Sequence, residues 1–228
     1  MSDGSSMAMR EVVLGRSSAV WRRLAADPAL AARIGAAIGH HELAAFTFTP
    51  ADRVWVLSYS RVPAENSALL ARLRDAGVAE IVYVSSSSTI VAQRTRCYEY
   101  PRVKQQAEDE ALALPNARVL TLGLMHDDPA ELPAGDNIAT RYDTLAAFMQ
   151  SPDWPDGDGR RKRLFRVERR PFRSGIERAL ARAYGAALDA AGAHPCLLRP
   201  LDLLLKLLGM RWYGYTFLSN RLWISTTS

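Results

Sequence analysis

The sequence has little cysteine, no long apolar run and no leader-like start, and each absence excludes a class of protein. Its two cysteines, Cys97 and Cys196, lie far apart without the spacing of zinc ligands, so we expect no metal site and a reducing compartment. No apolar run reaches about 18 residues, which argues against a membrane-spanning helix. The first residues contain no apolar segment before a cleavage site, so we predict a cytoplasmic protein.

The composition is that of a folded protein with a basic balance. The 228 residues are 48% hydrophobic and 23% charged, which excludes a mostly disordered chain and suits one large domain. The formal net charge is +5, but no basic stripe is interleaved with aromatic residues, so we expect no nucleic-acid partner. A phosphate-bearing metabolite or an anionic membrane surface would explain the charge equally well.

Strand-like and helix-like segments alternate along the first half of the chain. The patterns predict strands over residues 10–15, 43–49, 52–60, 80–85 and 118–125. They predict helices over residues 17–38, 65–76 and 100–114, the first of them interrupted at Asp27 and Pro28. This order predicts an α/β fold: a doubly wound, Rossmann-like parallel sheet with helices on both faces. Ligands of such sheets bind beyond the carboxyl ends of the strands.

The composition changes after about residue 126. We therefore predict a nucleotide-binding core over residues 1–126 and a smaller cap and substrate region, packed on that core, over residues 127–228. In the second part the patterns predict a loop over residues 126–137, helices over 140–150, 174–191 and 200–208, and a short strand over 164–167.

Tyr100 and Lys104 form the most informative pair of residues. They are four positions apart in a predicted helix, which places both side chains on one face about a turn apart. An ammonium group beside a phenol favours the phenolate and lowers the phenol's pKa, so such a pair can exchange a proton near neutral pH. In the serine run 85–88, Ser87 lies thirteen residues before Tyr100 and could hold the same substrate oxygen. Tyr98 is a rival phenol, placed four residues before Arg102 instead of a lysine.

These motifs resemble those of the short-chain dehydrogenase/reductase superfamily. The match is closer to its extended, epimerase- and dehydratase-like subfamily, because residues 69–88 run from a leucine-rich helix through Ala-Gly-Val to a strand ending in serines. The resemblance covers about residues 52–125 and makes Tyr100, Lys104 and Ser87 the catalytic residues. It implies a nicotinamide dinucleotide as cofactor, with Lys104 also binding its ribose. It further implies a nucleotide-linked sugar as substrate and a role in polysaccharide or glycan synthesis.

The resemblance also suggests binding residues, with departures from the family pattern. The family's glycine-rich turn is reduced here to Gly15, followed by Arg16, Ser17 and Ser18, and Trp21 stands where the last glycine would be. We expect these four residues, with Ser58 and Tyr59 after the next strand, to contact the cofactor. In the family an acidic residue after the second strand binds the ribose, and residues 44–51 contain no such residue. This lack, together with Arg16, favours NADP over NAD. The candidate substrate contacts are Ser88, Met125 and His126.

Alternative functions follow from other features of the same sequence. The reduced glycine turn suits a non-catalytic descendant that serves as a ligand-sensing or scaffold protein. Residues 196–223 combine ten leucines and five aromatic residues with few charges, which fits core packing, a homodimer interface or peripheral contact with a membrane. The run Arg160–Arg163 is either a solvated charged loop or a clamp on a diphosphate.

Overall fold

The protein consists of two compact units. The computed structural model describes residues 9–58, 60–155, 159–193, 200, 203–204, 207 and 211–227. Unit 1 comprises residues 1–85, 106–120 and 142–163, and unit 2 comprises residues 86–105, 121–141 and 164–228. Each unit takes segments from both sides of residue 126, and the division of the chain at that residue stays a prediction.

Nine strands and eight α-helices make up the described structure. The strands are β1 (Arg10–Leu14), β2 (Ile34–Ile38), β3 (Asp52–Val56), β4 (Glu80–Ser86), β5 (Ala117–Leu122), β6 (Leu124–His126), β7 (Gly135–Arg141), β8 (Arg161–Arg163) and β9 (Arg166–Arg170). The helices are α1 (Ala19–Leu24), α2 (Pro28–Arg33), α3 (Pro63–Asp75), α4 (Thr89–Ala92), α5 (Glu99–Leu112), α6 (Tyr142–Gln150), α7 (Gly175–Ala193) and α8 (Arg211–Thr227).

Unit 1 is built around a six-stranded parallel sheet with helices on both faces. The strand order is β2-β1-β3-β4-β5-β8, and β1 pairs in parallel with both β2 and β3. The chain therefore leaves β1 for one side of the sheet and then crosses to the other. Such a reversal opens a crevice at the carboxyl ends of the two strands. The predicted doubly wound α/β fold is confirmed.

The alternation of side chains along β3 divides the core of unit 1 between the two faces. Val54 and Val56 belong to a cluster with the leucines of α3 and with Ala107 and Ala111 of α5. Trp55 points to the other face, where its ring meets Phe148 of α6 edge-on at 6.2 Å. A strand buried on both faces needs a continuous apolar run, and for this reason β3 and β4 could be located from the sequence.

The second strand of the sheet differs from the prediction. The segment 34–38 was expected to continue a helix, but it forms β2 along the edge of β1. The segment 43–49, predicted as a strand, contains a short 3-10 turn at Leu43–Ala45. Helix α2 begins at Pro28, capped by Asp27, and ends after six residues. Pairing with β1 then overrides the helical preference of an alanine-rich segment.

Unit 2 contains a smaller sheet that the sequence did not reveal. Its strand order is β6-β7-β9, with β7 parallel to β6 and antiparallel to β9. Strand β7 lies partly in a segment predicted as a loop, because its Gly-Asp-Asn start has the composition of a turn. The predicted strand 118–125 is divided at Gly123, where a Cβ atom would lie 2.5 Å from the Ile138 carbonyl oxygen.

The C-terminal part is described mainly through α8. The predicted helix 200–208 lies largely outside the described residues, as do Cys196 and most of the leucine-rich stretch 196–210. Among the helices of the described part of the chain, none combines the length and apolar character needed to cross a membrane. Peripheral membrane contact and homodimer formation through residues 196–223 stay predictions.

Candidate functional site

A chain of three hydroxyl groups forms at the carboxyl end of β4, within unit 2. The Ser88 hydroxyl donates to Ser86 Oγ at 3.0 Å, and the Ser86 side chain is hydrogen-bonded to Tyr100. The turn is tight because Thr89 Oγ1 also donates to the Ser86 carbonyl oxygen at 2.9 Å. Serine and phenol hydroxyl groups linked in this way can transfer a proton or hydrogen-bond together to one oxygen atom of a substrate.

The local environment of Tyr100 raises the pKa of its phenol. Burial is the larger cause, because it disfavours the charged phenolate, and the hydrogen bond from Ser86 acts in the opposite direction. The net direction is upward from 10.0, whereas the pairing with Lys104 was expected to lower it. In this state of the protein the phenol is therefore protonated at neutral pH.

The structure places the other predicted catalytic residues as follows. Lys104 lies on α5 one turn after Tyr100 and is only 6% exposed. Ser87 is buried next to Ser86 and forms its hydrogen bonds through its backbone: its N–H donates to the Leu122 carbonyl oxygen at 2.6 Å. The serine that is hydrogen-bonded to Tyr100 is thus Ser86, one position before the residue selected by spacing. The assignment of catalytic roles to Tyr100, Lys104 and Ser87 stays a prediction.

Tyr98, the rival phenol, lies in an apolar cluster. Its side chain is 1% exposed and packs with Val91 and Leu218. Its ring also meets Tyr215 edge-on at 6.0 Å. Tyr98 therefore contributes to packing in unit 2.

The glycine turn of unit 1 has a glycine in a conformation that other residues rarely adopt, at the place where β1 ends. Gly15 has a φ of +113°, and a Cβ atom there would lie 2.9 Å from the Ser58 backbone nitrogen, so only glycine fits where β1 ends against the residue after β3. Ser18 caps α1 by accepting from the Trp21 N–H at 3.0 Å, while the Ser17 side chain is exposed. The glycine and the two hydroxyls suit a phosphate group.

Other contacts of this turn involve β2 and the loop that follows it. The N–H groups of Gly15 and Arg16 both donate to the Ile38 carbonyl oxygen, at 2.9 and 3.0 Å. Arg16 forms an ion pair with Glu42 at 2.8 Å, and Glu42 also accepts from the Gly39 N–H. Because β2 was misplaced in the sequence, Glu42 was missed as the acidic residue that follows the second strand.

The space at the carboxyl ends of these strands is small in unit 1. A cavity of about 10 Å³ lies between the ends of β1, β2 and β3 and α3, and Gly15, His40 and Ser58 are among its lining residues. This volume matches about one water-sized probe. Ser58 thus lies beside Gly15, while Tyr59 lies outside the described residues. Contact of either residue with a cofactor stays a prediction.

The predicted substrate contacts Ser88, Met125 and His126 all belong to unit 2. Met125 is half-buried on β6, opposite Thr140 of β7. His126 is 1% exposed, and its Nε2 lies 3.3 Å from the Glu168 carboxylate. Burial would raise the pKa of Glu168, but Arg166 and His126 outweigh it and lower this pKa. In this structure His126 therefore contacts Glu168 within the small sheet.

Unit 2 also contains a large cavity that sequence reasoning missed. Its volume is about 1060 Å³. Helices α7 and α8, the start of β7, the end of β9 and the segment after α4 form its walls. Apolar wall residues include Phe172, Phe217 and Leu218. Six arginines line it: Arg94, Arg169, Arg170, Arg178, Arg182 and Arg221. They come from four separate segments of the chain, so no single sequence motif could have identified them.

Some charged groups near the cavity are already paired. Arg169 forms a bidentate ion pair with Asp136, and Arg170 forms an ion pair with Glu177 at 2.6 Å. The run Arg160–Arg163, predicted as a possible clamp, belongs to unit 1, where Arg161 pairs with Glu108 and Lys162 with Asp153. Within the part of the chain that the structure describes, no group of three or more His, Cys, Asp or Glu side chains is placed to hold a metal ion.

Comparisons with known proteins find similarity only at the level of structure. No model of a protein family matches the chain, and no curated protein matches its sequence. A nucleoside-diphosphate-sugar epimerase from Staphylococcus aureus matches with a TM-score of 0.52 at 15% identity, over 71% of this chain and 73% of its own. The NAD-dependent NDP-hexosamine 5,6-dehydratase TunA matches with a TM-score of 0.53 at 12% identity, over 80% and 82%.

A third structure agrees with these two. The enzyme WbmG from Bordetella bronchiseptica, solved in complex with NAD, matches with a TM-score of 0.51 at 9% identity, over 74% of this chain and 76% of its own. At such identities the likeness concerns the fold. The chain therefore shares the fold of these epimerase and dehydratase structures, which the resemblance of its motifs led us to expect.

Proposed function

We propose that the protein is an NAD(P)-dependent oxidoreductase or epimerase that acts on a nucleotide-linked sugar in glycan or polysaccharide synthesis. The observation that carries the proposal is the hydrogen bond between Tyr100 and Ser86 at the end of β4, with Lys104 one turn further along α5. A phenol in such a position is suited to exchange a proton with a sugar hydroxyl or carbonyl.

In this proposal the reaction uses Tyr100 as the proton donor or acceptor. Ser86 hydrogen-bonds to the phenol oxygen and favours the phenolate, and Ser88 supports Ser86 in turn. Burial holds the pKa of Tyr100 above its ordinary value, so the charge of Lys104 would be needed to stabilise a phenolate during turnover. The dinucleotide supplies the hydride chemistry when it is bound.

Residues of unit 1 would hold the dinucleotide. Gly15 allows the close turn, and the Ser17 and Ser18 hydroxyls suit a phosphate. The exposed guanidinium of Arg16 could bind an additional 2′-phosphate, which favours NADP. This preference requires Arg16 to exchange its partner Glu42, whereas Glu42 itself would suit the ribose hydroxyls of NAD.

The arginine-lined cavity of unit 2 is the proposed place for the nucleotide diphosphate of the substrate. Tyr100, Ser86 and Ser88 are not among its lining residues, so the sugar would have to extend beyond the cavity to reach the phenol. Guanidinium groups match the geometry of phosphate oxygens, and the aromatic and aliphatic walls suit a base and a sugar ring. The volume of about 1060 Å³ is ample for such a molecule.

Titration with NADPH and NADH, followed by nicotinamide fluorescence, tests the proposal. We expect saturable binding of at least one of them, tighter for NADPH if Arg16 reads the extra phosphate. With a substrate found by screening nucleotide sugars, Tyr100→Phe should abolish turnover and leave cofactor affinity nearly unchanged. Tyr98→Phe is the matched control and should remain active. Undiminished turnover in Tyr100→Phe would remove Tyr100 from the mechanism.

A second candidate function is a non-catalytic ligand sensor or scaffold. The specific observation in its favour is the state of the glycine turn, where two backbone N–H groups are bonded to Ile38 and the adjoining cavity measures about 10 Å³. Absence of binding at about millimolar cofactor, combined with binding of a nucleotide sugar in unit 2, would favour this function over the enzyme.

A further inference from the structure

Helix α8 reaches the candidate catalytic residues through an aromatic contact. The ring of Tyr215 stacks on that of Tyr100, with centroids 5.4 Å apart and planes inclined by 27°. The same Tyr215 ring meets Tyr98 edge-on. Offset stacking of this kind restricts the orientation of both rings and excludes water from the shared face.

The same helix also holds the serine turn. The Ser219 hydroxyl and the Trp223 indole N–H both donate to the Ser87 carbonyl oxygen, each at 2.8 Å. Leu218, between Tyr215 and Ser219, packs against Val91 of α4. One face of α8 therefore touches both the phenol and the loop that carries its hydrogen-bonding serine.

The position of α8 is fixed independently on β7. Asn220 Oδ1 accepts from the Ile138 N–H at 3.0 Å, and its amide nitrogen donates to Asn137 at 3.2 Å. Both bonds are buried, where hydrogen bonds are costly to leave unmade. The helix is thus anchored to the small sheet while it contacts Tyr100 and Ser87.

We propose that Tyr215 is a positioning residue for Tyr100, and that α8 sets the orientation and hydration of the candidate catalytic phenol. The proposal rests on the role proposed for Tyr100, but its test does not require turnover. Removing the stacked ring should let water reach the phenol oxygen, so the phenolate would form at lower pH. Tyr215→Phe keeps the stacked ring and should leave the ionisation of Tyr100 as it is in the unsubstituted protein.

The test uses 3-fluorotyrosine, introduced at position 100 of the full-length protein, and ¹⁹F NMR. Its phenol ionises at lower pH than that of tyrosine, which keeps the titration within the range where proteins stay folded. Among the described residues, Cys97, Tyr98 and Tyr215 are the titratable side chains of the cluster around Leu218, and Lys104 lies one turn after Tyr100 on α5. Cys97, Tyr98 and Lys104 are unchanged in every variant, and Tyr215→Phe accounts for the hydroxyl of Tyr215.

We expect Tyr215→Leu to move the ¹⁹F resonance and to lower the titration midpoint by about half to one pH unit. Tyr215→Phe should leave both unchanged. Tyr184→Leu is the matched control. Tyr184 meets Phe217 of α8 edge-on at 5.1 Å, so this substitution removes a comparable aromatic contact elsewhere on the helix. If Tyr215→Leu does not fold, Tyr215→Met replaces it, because methionine is similar in size to leucine and also lacks the ring.

Three results would overturn the proposal: an unchanged resonance and midpoint in both Tyr215→Leu and Tyr215→Met, an equal change in Tyr184→Leu, or an equal change in Tyr215→Phe. If the protein proves active, Tyr215→Leu should lower kcat about 10- to 100-fold with little effect on cofactor affinity. A titration that shifts as expected in a protein that binds no dinucleotide would uphold the role of Tyr215 and reject the proposed function.

Discussion

Ser86 and Ser87 occupy neighbouring positions but contact the surrounding protein differently. Ser86 uses its side chain, which accepts from Ser88 and is hydrogen-bonded to Tyr100. Ser87 uses its backbone, which bonds to Leu122, Ser219 and Trp223. A backbone contact survives replacement by alanine, and a side-chain contact does not.

We therefore expect Ser86→Ala to lower turnover about 10- to 100-fold, because the phenol loses its hydrogen-bonding partner. Ser87→Ala should have a smaller effect. Steady-state kinetics of both variants, with cofactor affinity measured alongside, distinguish the two serines. A larger loss in Ser87→Ala would support the assignment made from spacing.

Among the described carboxylates of unit 1, Asp52 accepts the most hydrogen bonds. It is 0% exposed and accepts from Arg10 through both oxygens, and also from the Thr49 N–H and hydroxyl. Burial would raise the pKa of Asp52, but the hydrogen bonds from Arg10 and Thr49 outweigh it and lower this pKa below 3.8. Its charged form thus stabilises the folded state.

Because this pKa is lower in the folded than in the unfolded state, the stabilisation is complete above about pH 4 and is lost as the pH falls through the folded value. We expect Asp52→Asn to cost about 2–4 kcal/mol at pH 7, and progressively less at acidic pH. Urea unfolding at several pH values measures this difference. Asp75→Asn, on an exposed carboxylate at the end of α3, should show little effect, and a pH-independent loss in Asp52→Asn would contradict the account.

Among the elements, the passage from β5 to β6 depends on close backbone packing. At Gly123 a Cβ atom would lie 2.5 Å from the Ile138 carbonyl oxygen and 2.7 Å from the Ala139 nitrogen. The Gly123 N–H donates to Thr140 Oγ1 at 2.9 Å. Neither backbone neighbour can move without disturbing the pairing of β6 with β7.

We expect Gly123→Ala to destabilise the protein by about 1–3 kcal/mol, as overpacking does. Gly175→Ala, at the start of α7, is the matched control, because nothing lies within 4 Å of the added atom there. Thermal or urea unfolding of both variants provides the measurement. Equal stabilities would show that β6 and β7 can separate without cost.

At the scale of the whole molecule, part of the positive charge is concentrated in unit 2. The net charge of +5 does not by itself indicate a binding partner, but six arginines line one cavity. If this cavity binds a nucleotide-linked diphosphate, affinity should depend on salt, since partly exposed charges are screened.

We expect uridine diphosphate to bind in calorimetric titration, and binding to weaken roughly tenfold between about 0.05 M and 0.5 M salt. Arg182→Gln should weaken binding about tenfold, the loss of one charge-assisted hydrogen bond. Arg33→Gln, on an exposed arginine of α2 in unit 1, is the control. Equal affinities of the two variants would place the ligand outside the cavity.

Local sequence was sufficient where an element carries its own signal. Strands β3, β4 and β5 are rich in β-branched and large apolar residues, and the Tyr100–Lys104 spacing requires only a helix. Strand β2 has no such signal, because Ile34–Ile38 is rich in alanine and glycine and becomes a strand through its pairing with β1. Misplacing β2 then concealed Glu42, whose place after the second strand is meaningful only once that strand is known.

Periodicity and residue type were thus enough to specify the doubly wound sheet and to bring a phenol and an amine onto one helix, because both depend on neighbours within a few residues. Which serine meets Tyr100 depends on how the turn after β4 packs against the start of α5. Which ring stacks on Tyr100 and which arginines share a cavity depend on segments more than a hundred residues apart in the chain, such as Tyr100 and Tyr215. Contacts of that kind arise from packing, and packing alone selects them.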